Sequence, residues 1–229
     1  ITIPLEIIKS LSSLASFIVI ARSGIIRNSY GLKEIELIPE PEAPARLAKQ
    51  LGVGIKSLAV LMGKKEVGWE EYYLILRIAL DTVPRNKISH LVALMNDDSG
   101  TKTSDVATKT GYSLSGAEMI LEDLFALKLV GKTDWGQGTT PLWQLTEKCL
   151  GYLGKILPHN DDVLYQYFTE NDFYYPFIRK CLEKSQDKEK GDFVGGILIA
   201  IQDGEIQGKA VKNYILKTKT GRIQLPVHT

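Results

Sequence analysis

The chain has 229 residues, of which 44% are hydrophobic and 24% are charged. This composition is typical of a globular protein with a sizeable core, and it excludes a disordered or collagen-like chain. The 28 Lys and Arg residues balance 27 Asp and Glu residues to a net charge of +1, so any contact with nucleic acid has to come from a local basic patch.

The class of protein is restricted further by the cysteines, the histidines and the apolar segments. Cys149 and Cys181 form no CxxC pattern, which favours a reducing, cytoplasmic compartment. The three histidines are scattered and lack zinc-ligand spacing, so we expect no metal. The apolar run at residues 14–21 is shorter than the roughly 20 residues that span a bilayer, so we expect no membrane partner. The chain opens on Ile1 rather than Met, and we expect it to be a piece of a longer protein.

Prolines and charge divide the chain into three parts, residues 1–84, 85–157 and 158–229. In the first part, apolar residues predict a helix over residues 7–21, and prolines then interrupt regular structure. A helix from Ala45 follows, with one apolar stripe that ends before Gly63. A third helix is predicted over residues 69–82, with acidic residues in its first turn. The stripe of the second helix consists of Leu47, Leu51, Ile55, Leu58 and Met62.

The second part has the order of a winged helix-turn-helix. Short helices are predicted around Ile88 and over residues 104–110, and Ser115 with Glu118 forms a capping box for the next. Two β-like stretches follow at residues 129–135 and 142–145, with a Gly-bearing tip at residues 136–140 between them. A final helix is predicted over residues 147–157. Three short helices cannot shield one core, and a hairpin covers the open side. Trp135 and Trp143 flank this hairpin and are expected to pack beneath it.

The third part is predicted to be a small, mostly helical subdomain with a basic tail. Seven aromatic residues between Tyr165 and Phe177 are interpreted as core or as a docking patch, with a stacking platform for single strands as the alternative. The apolar residues 193–201 fit either a strand or a buried helix. No acidic residue follows Glu205, and the basic residues of the tail are Lys209, Lys212, Lys217, Lys219 and Arg222.

No complete active site is evident, so whether the chain belongs to an enzyme stays open. Residues 131–133 supply Gly-Lys-Thr, but Ala126 stands where a phosphate loop needs its first glycine. Residues 52–57 lack a glycine before Lys56 and lie inside a predicted helix. We therefore expect no catalytic residue and no cofactor in this chain.

Residues 39–84 resemble the lid region of AAA+ ATPases, most closely the lids of MCM-type helicases and of phage- or plasmid-encoded replication ATPases. The pattern consists of Arg46-Leu47, the apolar stripe, Gly63-Lys64-Lys65 and Val67-x-x-Glu70-Glu71. The resemblance implies a helical lid-like subdomain and makes Arg46 the sensor-2 arginine, which contacts the γ-phosphate of ATP. The alternative is that Arg46 is a solvated first-turn residue. ATP and Mg²⁺ would be bound only by an upstream core.

The second part resembles a bacterial winged helix through Ser115, Leu121, Leu124, Leu127 and Leu129-Val130. DNA-binding members of that type usually carry Arg or Lys on the recognition helix. This chain has Glu118, Met119, Glu122 and Asp123 there, and carboxylates repel the phosphate backbone. The candidate nucleic-acid-binding residues are Lys102, Lys109, Ser113, Ser115, Lys128, Lys132 and the five basic residues of the tail.

Together these features predict a mainly α protein that is the non-catalytic C-terminal portion of a AAA+-type ATPase or helicase of DNA replication or of a mobile element. It would bind DNA, an upstream ATPase core or other subunits, and a homo-oligomer is compatible with this prediction. One alternative is a stand-alone winged-helix transcription regulator. Another is a protein-interaction adaptor, which the acidic recognition helix supports.

Overall fold

We describe the fold from a computed structural model, in which residues 1–29, 33–95, 99–133, 140–157, 164–189, 197–206, 209–218 and 221–228 are described, with side chains through Glu183. The protein is mainly helical with small antiparallel sheets. It divides into two compact units, Ile1–Leu182 and Glu183–Thr229. The boundaries predicted at residues 84 and 157 both fall inside the first of these units.

The first elements are helices joined by a small strand pair. Helix α1 spans Leu5–Ala21, strands β1 and β2 span Ile26–Arg27 and Ile35–Leu37, and helices α2 and α3 span Pro44–Leu61 and Trp69–Asp81. A Cβ on Gly54 of α2 would lie 3.0 Å from Ile75 Cδ1 of α3. The glycine therefore lets two helices approach closely. The apparent phosphate-loop pattern at residues 52–57 is thus part of a helix–helix contact.

Residues 85–145 form a winged helix, as predicted. Helix α4 spans Arg85–Leu94, β3 spans Thr101–Lys102, α5 spans Thr103–Thr110, α6 spans Leu114–Ala126, and β4 and β5 span Val130–Thr133 and Leu142–Leu145. The three strands form an antiparallel sheet in the order β3-β5-β4. Trp143 is 1% exposed beneath this sheet, and its indole N–H donates to Thr103 Oγ1 at 2.9 Å. Trp135 and residues 136–139 of the predicted tip lie outside the described residues.

The start of α6 differs from the prediction. Ser113, in extended backbone conformation, is the N-cap, and its Oγ accepts a hydrogen bond from Gly116 N at 3.1 Å. The predicted capping box at Ser115 and Glu118 is therefore wrong by two positions. Ser115 is already helical, and a cap residue must lie outside the helical conformation.

Three more helices follow the winged helix: α7 at Glu147–Leu153, α8 at Leu164–Tyr167 and α9 at Tyr175–Glu189. Helix α7 ends before the predicted residue 157 and packs against α1, which joins the winged helix to the first helices. Part of the aromatic cluster belongs to the core, because Phe168, Tyr174 and Phe177 are buried and Phe177 stacks on Phe17 at 5.6 Å between ring centroids, whereas Tyr165 and Phe173 are exposed.

The second unit contains a three-stranded antiparallel sheet. Strands β6, β7 and β8 span Ile197–Ile206, Lys209–Thr218 and Gly221–His228, in the order β6-β7-β8. The prediction of a mostly helical end is wrong for these residues. Within residues 222–228 the apolar residues Ile223, Leu225 and Val227 fall at every second position, which is the period of a strand.

Candidate nucleic-acid and protein interface

Helix α6 occupies the position of a recognition helix, and its sequence contains no Lys or Arg. Ser115 and Glu118 are exposed near its start. Leu114 is 58% and Phe125 49% exposed. Leu114, Glu118 and Phe125 are separated by four and seven positions, so they follow one stripe of the helix. The accessible stripe is therefore apolar and acidic, in contrast to the basic surface that phosphate contacts require.

Arg27 of β1 occupies the acidic end of α6. Its guanidinium donates to Asp123 Oδ1 at 2.7 and 3.0 Å, and to Glu122 Oε2 at 3.2 Å. It also donates to the main-chain oxygens of Met119 at 3.1 Å and Lys33 at 2.8 Å. The Arg27 side chain is only 13% exposed. The strand pair β1–β2 is thereby fixed to the recognition helix by charge-assisted hydrogen bonds.

Lys87 of α4 links the winged helix to the C-terminal end of α1. Its ammonium is buried and donates to the carbonyls of Ala21 at 3.1 Å and Ser23 at 2.6 Å. Burial lowers the pKa of Lys87, and the negative charge of Asp123 opposes this shift. A cation at a helix C-terminus is favourable because it satisfies terminal carbonyls. Lys87 and Arg27 were missed at the sequence level, because their partners come from distant parts of the chain.

The lysines predicted in the winged helix are all exposed, and they lie on different elements or turns. The strand register places Lys132 on the same sheet face as Trp143, and Lys102 on the opposite face. The Lys132 ammonium lies 5.2 Å from the Trp143 ring centroid. Lys109 lines a groove beside Phe173, and Lys128 lies in a left-handed turn after α6. The strand register thus separates Lys102 from Lys132 by the thickness of the sheet.

The two predicted serines have different positions. Ser113 is occupied as the cap of α6, as described above. Ser115 is exposed, and its Oγ lies 3.4 Å from Ser113 Oγ. Both serines are exposed, but the Oγ of Ser113 is already an acceptor in the cap of α6.

The basic tail forms part of the second unit's sheet. The register pairs Lys217 with Arg222, and Lys209 shares their face because it lies an even number of residues from Lys217. Lys212 lies on the other face, opposite Asp203. Lys219 lies outside the described residues. The sheet thus places three of the predicted basic residues on one face.

Arg46, the predicted sensor-2 residue, lies in the first turn of α2 and its side chain is 73% exposed. Its Nε is 3.4 Å from Glu42 Oε1, and the same carboxylate binds Arg22. The exposed position leaves Arg46 accessible to a ligand outside this chain.

The turn between α2 and α3, which belongs to the lid-like pattern, is stabilised by a cluster of charged residues. The Lys64 ammonium binds Glu70 and donates to Glu71 Oε1 at 2.6 Å, while Gly68 N donates to Glu71 Oε2 at 2.7 Å. Glu71 is fully buried. Burial opposes its ionisation, but the hydrogen bonds from Lys64 and Gly68 outweigh burial and lower the pKa of Glu71. These residues of the pattern cap the start of α3.

Comparisons with protein-family models and with curated proteins found no match to the chain. In the described part of the chain, no group of three or more His, Cys, Asp or Glu side chains could hold a metal ion. No helix there combines the length and the apolar character that crossing a membrane requires.

Proposed function

We propose that the chain is the non-catalytic C-terminal portion of a cytoplasmic AAA+-type ATPase or helicase of DNA replication or of a mobile element, and that its winged helix binds partner protein subunits rather than reading DNA. The observation that carries the second statement is the set of bonds between Arg27 and the acidic end of α6. Part of the surface that would face a major groove is used within the chain.

The rest of the α6 surface suits a protein partner. Leu114 and Phe125 offer apolar side chains, and Glu118 adds an exposed carboxylate between them. Apolar anchors with few charges are typical of the centre of a protein interface. The same carboxylate disfavours DNA, because it repels phosphates and releases no counterions. A basic, amphipathic surface of another subunit is the matching chemistry.

The ATPase part of the proposal rests on the lid-like pattern before the winged helix. Arg46 is exposed at the start of α2, where a planar guanidinium could pair with phosphate oxygens supplied by an ATP-binding core. The nucleotide and its Mg²⁺ would then belong to that core. A stand-alone transcription regulator remains the alternative, and DNA binding through α6 distinguishes it.

DNA binding tests the role of α6 directly. Fluorescence anisotropy of a labelled 30-base-pair duplex at 50 mM salt should show no measurable affinity for the chain at micromolar concentration. Glu118→Lys should create affinity, because it replaces a repelling charge on α6 with a cation. Glu170→Lys, which makes the same net-charge change at an exposed position outside the winged helix, serves as the control.

Two outcomes would contradict this assignment. Affinity of the unmodified chain for duplex DNA that is lost in Ser115→Ala would place α6 in a groove and support the transcription regulator. An equal gain of affinity in Glu170→Lys and Glu118→Lys would show that net charge, rather than the surface of α6, controls binding.

The ATPase part needs its own test. In the intact ATPase that carries this segment, Arg46→Ala should lower ATP turnover at least tenfold, because it removes a cation from the developing phosphate charge; this figure is on the order of the loss expected for one such group. Lys49→Ala, an exposed cation one turn further along α2, should leave turnover unchanged. Unchanged turnover in Arg46→Ala would refute the lid assignment.

A further inference from the structure

A second surface of the first unit, away from α6, has the opposite chemistry. An open groove of about 310 Å³ lies between α1 and α7. Its lining residues are Ser12, Ser13, Ser16, Lys148, Gly151, Tyr152 and Lys155. The volume is at the lower end of the range typical of small-ligand sites, about 300–1,000 Å³.

The groove is cationic. None of its described lining residues is acidic. Lys148 and Lys155 are exposed, and neither forms a salt bridge with a described residue. This contrasts with the basic residues Arg27, Lys64 and Arg77, each of which binds a carboxylate. Two unpaired ammonium groups in one concave surface attract an anion.

Hydroxyl groups on α1 complement the two lysines. Ser12, Ser13 and Ser16 fall within about one turn of a helix that is otherwise largely apolar. Ser16 Oγ donates to Ser12 O at 2.8 Å, so its proton is already used, and Ser12 and Ser13 supply the hydroxyl donors of the lining. Two hydroxyl donors and two ammonium groups suit an anion that has several acceptor oxygens.

Gly151 belongs to the part of the lining that α7 contributes. It lies inside α7, where glycine lowers helix stability relative to alanine. Its φ is not positive, and a Cβ at this position would meet no atom within 4 Å. Neither backbone conformation nor packing therefore requires a glycine. Its effect is to leave the backbone of α7 open where it lines the groove, which permits close approach of a ligand.

We propose that this groove binds the phosphate group of a phosphorylated molecule. A tetrahedral phosphate uses several donors at once, whereas a carboxylate offers two oxygens in one plane. The groove also has room beyond the phosphate for an organic group beside Tyr152. The phosphate can come from a soluble metabolite or from a lipid headgroup, since both present the same chemistry. The proposal does not depend on the function proposed for α6.

Amide chemical shifts of the ¹⁵N-labelled chain test the site. Glucose 6-phosphate, with ionic strength held constant by NaCl, should produce saturable shifts at residues 12–16 and 148–155, and glucose should produce none. Lys148→Ala and Lys155→Ala should each weaken binding about fivefold or more. Lys56→Ala, an exposed lysine on α2, should leave the affinity unchanged.

Sedimentation with phosphatidylcholine vesicles, with or without phosphatidylinositol 4-phosphate, separates the two sources of phosphate. Binding to the phosphorylated vesicles without binding to glucose 6-phosphate would assign the site to a lipid headgroup. Absence of saturable binding to either probe would overturn the proposal, as would an equal loss of affinity in Lys56→Ala.

Gly151→Ala separates a ligand site from a structural feature. The substitution should raise the melting temperature or leave it unchanged, because alanine favours the helix and has room for its methyl group. It should also weaken glucose 6-phosphate binding at least threefold by closing the approach to the backbone. A stabilised variant that binds as well as the unmodified chain would contradict the role of Gly151 and the location of the site.

Discussion

Two charge clusters of the first unit each pair one cation with two carboxylates, but they differ in how far apart these residues lie in the sequence. In the first cluster, Lys64 binds Glu70 and Glu71, which follow it by six and seven positions. In the second, Arg27 binds Glu122 and Asp123, which follow it by 95 and 96 positions. Each cluster contains one cation and two carboxylates, and each includes a side chain with little exposure to solvent.

This difference in sequence separation gives the two clusters different structural roles. The local cluster caps α3, because Glu71 accepts from Gly68 N and fixes the turn before the helix. The distant cluster joins β1 to α6 and thereby determines which part of the recognition helix stays accessible. The local cluster therefore acts within one element, whereas the distant cluster fixes one element on the surface of another.

The largest effect is expected from breaking the local cluster. Glu71→Ala should lower the free energy of unfolding by about 3 kcal/mol, because it leaves Gly68 N and the Lys64 ammonium without their buried partner. Urea denaturation with an unchanged m value measures this. Glu70→Ala, which removes a more exposed partner of Lys64, should cost less than about 1 kcal/mol. Equal costs for both variants would show that burial of Glu71 is not decisive.

The distant cluster should contribute somewhat less. Arg27→Ala should cost about 2 kcal/mol in urea denaturation, since it removes charge-assisted bonds to a partly buried Asp123. A double-mutant cycle with Asp123→Ala should give a coupling energy of about 1 kcal/mol. The Lys102→Ala variant provides an exposed control. A coupling energy near zero would mean that Arg27 does not fix the strand pair β1–β2 to α6.

A smaller effect tests the start of the recognition helix. Ser113→Ala should cost about 1 kcal/mol, because it removes the hydroxyl that accepts from Gly116 N. Ser115→Ala is a matched control inside the same helix and should change the free energy of unfolding by only a few tenths of a kcal/mol. A larger cost at Ser115 than at Ser113 would restore the cap position predicted from sequence.

The smallest expected effect is on the pH dependence of stability at acidic pH. The folded-state pKa of Glu71 lies below its ordinary value, because hydrogen bonds from Lys64 and Gly68 outweigh burial. Its contribution to stability is therefore complete above the ordinary pKa and is lost as the pH falls through the folded-state pKa. Urea midpoints measured between pH 6 and pH 3 should decline less steeply for Glu71→Gln than for the unmodified chain. Parallel curves would remove Glu71 as a source of acid sensitivity.

Much of the helical architecture was predictable from local patterns. The apolar stripe that includes Leu47, Leu51 and Ile55 marks the buried face of α2, and all three residues are buried. The helix, turn and hairpin order predicted the winged helix, and Trp143 packs beneath its sheet as expected. The third strand, β3, was not predicted, because a two-residue strand has no period of its own.

The candidate site was predicted less completely. The acidic character of α6 was evident in the sequence, whereas its partner Arg27 was not, because β1 is two residues long and carries no helical or strand period. The groove between α1 and α7 could not be predicted either. Its serines and lysines lie more than 130 positions apart and meet only when α7 packs on α1.

The sequence by itself therefore determined where the helices before residue 157 form, which face of α2 is apolar, and that the recognition helix is acidic. These properties depend on side chains three to four positions apart, which a helix brings together whatever the rest of the chain does. The tertiary structure alone decided that Arg27 covers one end of α6 and that Ser13, Gly151 and Lys155 line one groove. Contacts between distant segments follow from the burial of the whole core, and no local pattern encodes them.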